Sequence, residues 1–325
     1  MLERERGSSL RSIASILRRN VSTISRELQR NRNGRHYNAT DAANAYHQRR
    51  SRCVKPRKIE THPALQRLLE SRLIGDKWSP EQCSAYCRRE YADEADMQVS
   101  HETIYSHIYA HPRGELRKLW VDSLRRSKSK RGPRGSKDSC YSSLKIAEEQ
   151  RIDNRPEEIN SRCVAGHWEG DLIVGKMNQS CVGTLVERKT GYVVLSKMQS
   201  KSAQHVREGF TISMSTLPSF LRLSLTYDRG AEMAQHPVLS KQLDFKIYFA
   251  DRNAPWQRGS SENANGLLRQ FLPKGTDLSL HSQEELDKIA LKLNHRPRKR
   301  FDFRSPQEMM EKELPGGLLS VALDS

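Results

Sequence analysis

The chain has 325 residues, with 56 Lys or Arg against 39 Asp or Glu, and a formal net charge of +17 at pH 7. This length predicts more than one domain. No apolar run approaches the roughly 18 residues of a membrane span, and the N-terminus lacks the apolar segment of a signal peptide, so we expect a cytoplasmic protein. The six cysteines have neither CxxC spacing nor suitably placed His partners, which favours reduced thiols over a disulfide framework or a zinc finger.

The positive charge is concentrated in two blocks. Residues 1–60 carry 15 basic and 5 acidic side chains, and residues 111–140 carry 10 and 3. The second block includes a basic stretch with Gly and Pro and almost no apolar residues over residues 125–139, from which we predict a flexible linker over residues 125–156. Basic clusters bind nucleic-acid phosphates by displacing counterions, although a solvated basic face has the same composition.

Residues 9–28 predict two helices joined by a sharp turn, because apolar residues recur at helical spacing on either side of an Arg-Arg-Asn sequence. The second helix has short or basic hydrogen-bonding groups at its outward positions: Thr23, Ser25, Arg26 and Gln29. Arg30 follows them and is also a candidate for DNA contact. A recognition helix places such groups in the major groove of DNA, although a simple helical hairpin has the same apolar spacing. We predict a helix-turn-helix DNA-binding region over residues 1–60.

A second helical, helix-turn-helix-like DNA-binding region is predicted over residues 61–124. Ser79 precedes a Pro and is followed three residues later by Gln82, which is the pattern of a capping box. A further helix is predicted after Ser100. Its His101 and Thr103 are candidates for DNA contacts, and we expect His101 and His107 to be surface or groove residues, because no Cys or carboxylate accompanies them at metal-ligand spacing.

Short strands first become visible in the second half of the chain. Strands are predicted at residues 167–175, 181–189, 191–198, 221–228 and 245–251, and helices at about 202–217, 231–243 and 260–272. The order strand-strand-strand-helix-strand-helix-strand-helix is that of the ribonuclease H-like fold. We therefore predict a multidomain chain: all-α helix-turn-helix regions, then an α/β ribonuclease H-like catalytic domain of the retroviral-integrase type over residues 157–315, and a tail over residues 316–325.

Three acidic residues fall where this fold would bring them together. Asp171 lies in the first strand, Asp228 ends the fourth, and Glu262 is in the first turn of the helix after the fifth. Converging carboxylates supply the hard oxygen ligands for two Mg²⁺ ions, roughly 3.5–4 Å apart, in phosphoryl transfer. We predict that these residues are catalytic and bind Mg²⁺, with Mn²⁺ as a substitute, although any one of them alone resembles a solvated acid. The alternative ligands are Glu169, Glu187 and Asp251.

The helix of Glu262 is predicted to be amphipathic, with Gly266 and Arg269 on the face of the acid and apolar residues on the other. Basic and amide side chains near this helix and in a later cluster are candidates for DNA contacts: Arg258, Asn263, Arg269, Arg298 and Lys299. For the later cluster, a solvated helix end is the alternative.

Several stretches resemble, in the same order, the motifs of bacterial DDE transposases of the insertion-sequence-thirty family. They are HWEGDLIVG, TLVERKTGYV, LTYDRGAEMAQH, YFADRNAPWQRGSSENANGLLRQFLPKGTDLS and LNHRPRKRFDFRSPQE. STISRELQRN and SHETIYSHIY resemble the two DNA-binding elements of that family.

The resemblance implies a bacterial, nucleoid-associated transposase that binds double-stranded DNA, namely terminal inverted repeats and a target. It implies metal-dependent strand cleavage and strand transfer at Asp171, Asp228 and Glu262. A homo-oligomer is expected, because two element ends must be brought together. The alternatives are a DNA-binding repressor with an inactive catalytic-like domain, and a ribonuclease H-like nuclease without strand transfer.

Overall fold

The computed structural model describes residues 7–33, 36–53, 57–111, 114–125, 146–251 and 254–314. Most of the linker predicted over residues 125–156 lies outside these ranges, and so does the predicted tail. The chain divides into two compact units, Met1–Thr61 and His62–Ser325. No helix in the described ranges is long and apolar enough to cross a membrane. The five cysteines within these ranges are free thiols.

The first unit is built from helices and one short hairpin. Its elements are α1 (Leu10–Ile16), α2 (Val21–Asn31), β1 (Arg32–Asn33), β2 (His36–Tyr37), α3 (Ala39–Cys53) and α4 (Lys58–Thr61). The side chain of Ser9 caps α1 by accepting the Ser12 N–H, and the Asn20 side chain accepts the Ser22 N–H at 2.9 Å. Between these caps Arg18 takes a φ of 48°. The sharp turn predicted between two helices is therefore present.

The second unit begins with a helical part. Its elements are α5 (Pro63–Glu70), a π-helical turn (Ser71–Gly75), α6 (Pro80–Glu90), α7 (His101–Ala110) and α8 (Glu115–Ser123). The capping box of Ser79 and Gln82 opens α6 as predicted, and Ser100 caps α7. The surface position expected for His107 is wrong: this residue is 3% exposed, because its ring packs edge-on against Trp120 of α8.

A five-stranded mixed sheet forms the rest of the second unit. Its strands are β3 (His167–Val174), β4 (Cys181–Glu187), β5 (Val193–Lys197), β6 (Ser224–Tyr227) and β7 (Lys246–Phe249), in the order β5-β4-β3-β6-β7. The first three strands are antiparallel neighbours, whereas β3, β6 and β7 are parallel. All five strands lie within the predicted ranges. This topology, with helices after β5, β6 and β7, confirms the ribonuclease H-like fold.

Helices cover both faces of the sheet. The helices of this part are α9 (Glu157–Ser161), α10 (Ala203–Ser215), α11 (His236–Leu243), α12 (Gly259–Leu268), α13 (Gln283–Asn294) and α14 (Pro306–Glu311). One core cluster joins Phe210 of α10 and Leu239 of α11 to the sheet. A second core cluster joins Leu267 of α12 and Leu293 of α13 to the sheet through Val186. The apolar face predicted for α12 is therefore buried.

The helical part of the second unit contacts the sheet part. Gln82 donates its side-chain N–H to the Pro297 carbonyl at 2.7 Å, and Gln270 donates to the Ser123 carbonyl at 3.2 Å. An ion pair of 2.8 Å also joins Arg89 to Glu308. The regions predicted over residues 61–124 and 157–315 thus belong to one compact unit.

Replacing Leu293 by Ala is expected to lower the free energy of unfolding by about 2–5 kcal/mol, because its fully buried side chain fills the core between α13 and the sheet. Leu291→Ala on the same helix is the control, since Leu291 is 51% exposed and its loss should change stability by about 0.5 kcal/mol or less. Urea unfolding measures both. Equal losses would contradict the packing of α13.

Candidate active site

Asp171 and Asp228 lie side by side because of the register of two parallel strands. Glu169 of β3 is the ladder partner of Thr226 of β6. Asp171 is two positions after Glu169, and Asp228 is two positions after Thr226. The carboxyl ends of the paired segments therefore bring the two acids to the same edge of the ladder, as the sequence predicted for this fold.

A single guanidinium lies between the two carboxylates. The Nη1 atom of Arg258 is 3.6 Å from Asp171 Oδ1, and its Nη2 atom is 3.3 Å from Asp228 Oδ2. Nη1 also donates a hydrogen bond of 3.3 Å to the Gly170 carbonyl. Burial lowers the pKa of Arg258, but the attraction of the two carboxylates outweighs this effect and its pKa is raised. Arg258, predicted from the sequence to contact DNA, is here the counter-ion of the acid pair.

The acid pair is only partly satisfied by hydrogen bonds. Asp171 accepts the Leu172 N–H at 2.9 Å and the Asn265 side-chain N–H at 2.8 Å. Asp228 Oδ1 is buried and has no hydrogen-bond partner in the part of the chain that the structure describes. Burial and repulsion from Asp228 raise the pKa of Asp171, whereas the positive charge of Arg258 lowers it. The pKa of Asp171 is raised overall, because burial is the largest of these effects. The pair therefore favours a bound cation.

Two neighbours of the pair were not identified from the sequence. Glu232 lies in the short helical turn after Asp228. Its pKa is raised, first by burial and then by repulsion from Asp228 and Asp171, although a backbone hydrogen bond lowers it. The Tyr227 hydroxyl is fully buried and lacks a hydrogen-bond partner among the described residues. Its pKa is also raised, first by burial and then by the same acids. The one sequence signal for Glu232 is its place four residues after Asp228.

Glu262 occupies the first turn of α12, as predicted, and its side chain is exposed. Within the described ranges, no group of three or more His, Cys, Asp and Glu side chains lies close enough together to hold a metal ion. The structure thus brings Asp171 and Asp228 together and does not add Glu262 to them. The catalytic role of Glu262 stays a prediction.

Glu169, considered above as an alternative ligand, has a different set of contacts. It is fully buried, forms an ion pair with Arg188, and accepts the Ser261 N–H at 2.9 Å through its other oxygen. Arg188 in turn donates to the Ile159 carbonyl at 3.2 Å. Because Ser261 directly precedes Glu262, this buried pair fixes the first turn of α12 against the sheet.

The other two alternatives are also engaged elsewhere. Glu187 accepts the Thr190 N–H, which closes the turn after β4, and the N–H of Gly166, which precedes β3. Asp251 forms an ion pair of 2.6 Å with Arg229. Neither contact involves Asp171 or Asp228.

The residues predicted to contact DNA differ in accessibility. All five candidates on α2, Thr23, Ser25, Arg26, Gln29 and Arg30, are exposed. His101 on α7 is exposed, whereas the Thr103 hydroxyl shares a hydrogen bond of 2.9 Å with the capping Ser100. Their contacts with DNA stay predictions.

Near α12 most candidates already have protein partners. Asn263 accepts a hydrogen bond of 3.0 Å from Arg125, and Arg269 donates to the Val174 carbonyl at 3.0 Å. Lys299 is 77% exposed and forms an ion pair of 2.7 Å with Glu81 of α6. Arg298 donates to the Leu293 carbonyl at 3.2 Å.

Comparison with known proteins places the chain in a family. A helix-turn-helix domain family matches residues 2–31. The transposase for insertion sequence element IS1086 of Cupriavidus metallidurans is 45% identical over 94% of this chain and 90% of its own. The transposase InsI for insertion sequence element IS30A of Escherichia coli is 42% identical over 94% of this chain and 79% of its own. The chain belongs to the IS30 family of transposases.

Membership of the IS30 family confirms the resemblance seen in the sequence motifs, and the domain match confirms the first helix-turn-helix. Among solved structures, the catalytic core domain of BIV integrase is 18% identical, with a TM-score of 0.35, over 46% of this chain and 96% of its own.

Glu169→Gln is expected to lower the free energy of unfolding by about 3–5 kcal/mol, because it leaves the charge of the buried Arg188 without its partner. Glu308→Gln is the matched control: it breaks an ion pair with the partly exposed Arg89 and should cost at most about 1 kcal/mol. Both are measured by chemical unfolding. A loss for Glu169→Gln no greater than that of the control would show that the buried pair does not hold α12.

Proposed function

We propose that this IS30-family protein binds the terminal inverted repeats of an insertion sequence and catalyses metal-dependent DNA cleavage and strand transfer. The observation that carries the proposal is the placement of Asp171 in β3 and of Asp228 directly after the adjacent parallel strand β6, both within 3.6 Å of one guanidinium. Two carboxylates that share a cation on a ribonuclease H-like sheet suit phosphodiester chemistry.

A divalent cation fits the residues of this site. Their donor atoms are carboxylate oxygens, which Mg²⁺ prefers, and the buried Asp228 Oδ1 has no partner among the described residues. Asp171 and Asp228 would hold the ion, and we assign Glu262 as the third ligand from its motif. When bound, Mg²⁺ or Mn²⁺ supplies Lewis-acid stabilisation of the charge that develops on the phosphoryl oxygens.

The neighbouring side chains position the acid pair. Asn265 holds Asp171 through its hydrogen bond of 2.8 Å, and the buried pair of Glu169 and Arg188 orients the helix of Glu262. Arg258 leaves the carboxylates when another cation replaces it, and its guanidinium then suits a phosphate, which it can bind through two hydrogen bonds. This exchange reconciles the DNA contact predicted for Arg258 with its contacts in the structure.

The reaction has two displacements. In the first, water attacks the phosphodiester at the element end; a new P–O bond forms, and the 3′ oxygen leaves as a free hydroxyl after receiving a proton. In the second, that 3′-hydroxyl loses its proton and attacks a phosphodiester of the target strand; a new P–O bond forms, and the target 3′ oxygen leaves as a free hydroxyl after receiving a proton. The exposed face of α2 binds the terminal repeats, and a homo-oligomer brings the two ends together.

Asp171→Asn, Asp228→Asn and Glu262→Gln are each expected to reduce strand transfer from a pre-nicked terminal-repeat duplex at least about 100-fold, because each removes a proposed ligand. DNA binding should be retained. Asp244→Asn is the control, since Asp244 is exposed in the turn before β7, whereas the acid pair lies at the other end of the parallel strands β6 and β7. Undiminished transfer in the three variants would refute the assignment.

The same assay on the wild-type protein separates the alternatives. Repeat binding without cleavage in Mg²⁺ or Mn²⁺ would indicate a repressor. Cleavage without joined products would indicate a nuclease.

Cation binding is also expected to be visible without activity. Mn²⁺ at 100 times its Kd should raise the Tm of the wild-type protein by about 5–10 °C, because the ion binds only the folded site. Asp228→Asn should abolish this shift. Arg258→Gln should lower the Mn²⁺ concentration needed for it, because the internal counter-ion is removed. A shift that persists unchanged in Asp228→Asn would place the ion elsewhere.

A further inference from the structure

A basic groove of about 380 Å³ runs along the flank of α12. Gly259, which follows Arg258 directly, and Asn263 belong to its wall, so the groove lies against the helix that carries Glu262. Six basic side chains line it: Arg125, Arg162, Arg296, Arg298, Lys299 and Arg300. We refer to it as the arginine groove.

The arginine groove has an excess of positive charge. Lys299 is paired with Glu81, but none of the five arginines has a carboxylate within 4.0 Å in the described parts of the chain. Three of them bond to neutral groups instead. Arg296 donates to the side-chain oxygens of Gln82 and Gln270, at 3.0 and 2.8 Å, whereas Arg125 donates to Asn263 and Arg298 to a backbone carbonyl.

Part of this charge is also removed from water. Arg296 is 2% exposed; burial and repulsion from Arg125 lower its pKa to about 10. Burial and repulsion from Arg296, Arg300 and Arg125 lower the pKa of Arg298 to about 9. A desolvated cation without an anion is costly, so this arrangement favours binding of a polyanion.

The backbone opposite also makes room for a cation. Gly191, in the turn between β4 and β5, has a φ of 72°, and a Cβ added there would lie 2.6 Å from the Arg300 Nη2 atom. The missing side chain lets the Arg300 guanidinium lie over the turn at the groove wall.

We propose that the arginine groove binds the phosphodiester backbone of the DNA strand that reacts at Asp171 and Asp228. This inference rests on the proposed function and deepens it. Several guanidiniums spread along an open groove match a row of phosphates better than a single small anion. The guanidinium groups are expected to bind phosphates and not base edges, so the affinity of the groove should not depend on the DNA sequence.

The test uses the full chain and measures the Kd of labelled duplexes in Ca²⁺ as a function of salt. The variant combines Arg125→Gln, Arg162→Gln and Arg300→Gln, which spares the buried Arg296. Each lost phosphate contact reduces the slope of log K against log salt by about 0.9, so the variant should lose about 2–3 units of slope and at least about tenfold in affinity. The loss should be equal for terminal-repeat and unrelated duplexes.

The matched control combines Lys201→Gln, Lys241→Gln and Lys246→Gln. These lysines are exposed and belong to the segments around α10, α11 and β7, away from α12. The control should keep the wild-type slope. A slope of the triple arginine variant equal to that of the control would overturn the proposal.

A second measurement needs no triple variant. Neutral methylphosphonate linkages placed next to the reacting bond should weaken binding of the wild-type protein, and Arg300→Gln alone should reduce this sensitivity. Sensitivity equal in the two proteins would also overturn the proposal. The wild-type protein is also assayed for strand transfer on the same duplex. Absence of strand transfer counts against the proposed function. Intact strand transfer, together with a wild-type salt slope in the triple arginine variant, counts against the arginine groove alone.

Discussion

Repulsion between the carboxylates of Asp171 and Asp228 is the interaction that the surrounding side chains must balance. Parallel pairing of β3 with β6 brings both carboxylates to the same edge, where burial and mutual repulsion raise the pKa of Asp171. Arg258 relieves this repulsion from the turn that leads into α12. We propose that a metal ion takes the place of the guanidinium between these carboxylates, and the exchange would then release Arg258 toward DNA.

Helix α12 links this constraint to the surrounding structure. Its first turn is held from within by the buried carboxylate of Glu169, its apolar face packs on the sheet, and its outer flank borders the arginine groove. One helix thus connects the acid pair, the proposed third ligand and the proposed strand-binding surface. The helical part of the second unit contributes Arg125 to that proposed surface, and the contacts between α6, α8 and the sheet part hold this part of the chain against the sheet.

Much of this architecture could be predicted from the sequence because its signals are local. Apolar runs broken by Gly and polar residues defined the five strands, and the Ser79 capping box marked the start of α6. The partners of charged groups could not be predicted, because they depend on contacts between distant segments. Arg258 meets Asp228 across 30 residues, and Glu169 meets Ser261 across 92. His107 was misjudged for the same reason, since Trp120 of another helix covers it.

The most direct test of metal binding at the acid pair is anomalous diffraction from crystals of the protein grown with Mn²⁺. If Asp171 and Asp228 hold the ion, a Mn²⁺ peak will lie within bonding distance of an oxygen of each, with the Arg258 guanidinium moved out from between them. Mn²⁺ bound elsewhere, with Arg258 still joining the two carboxylates, would contradict it.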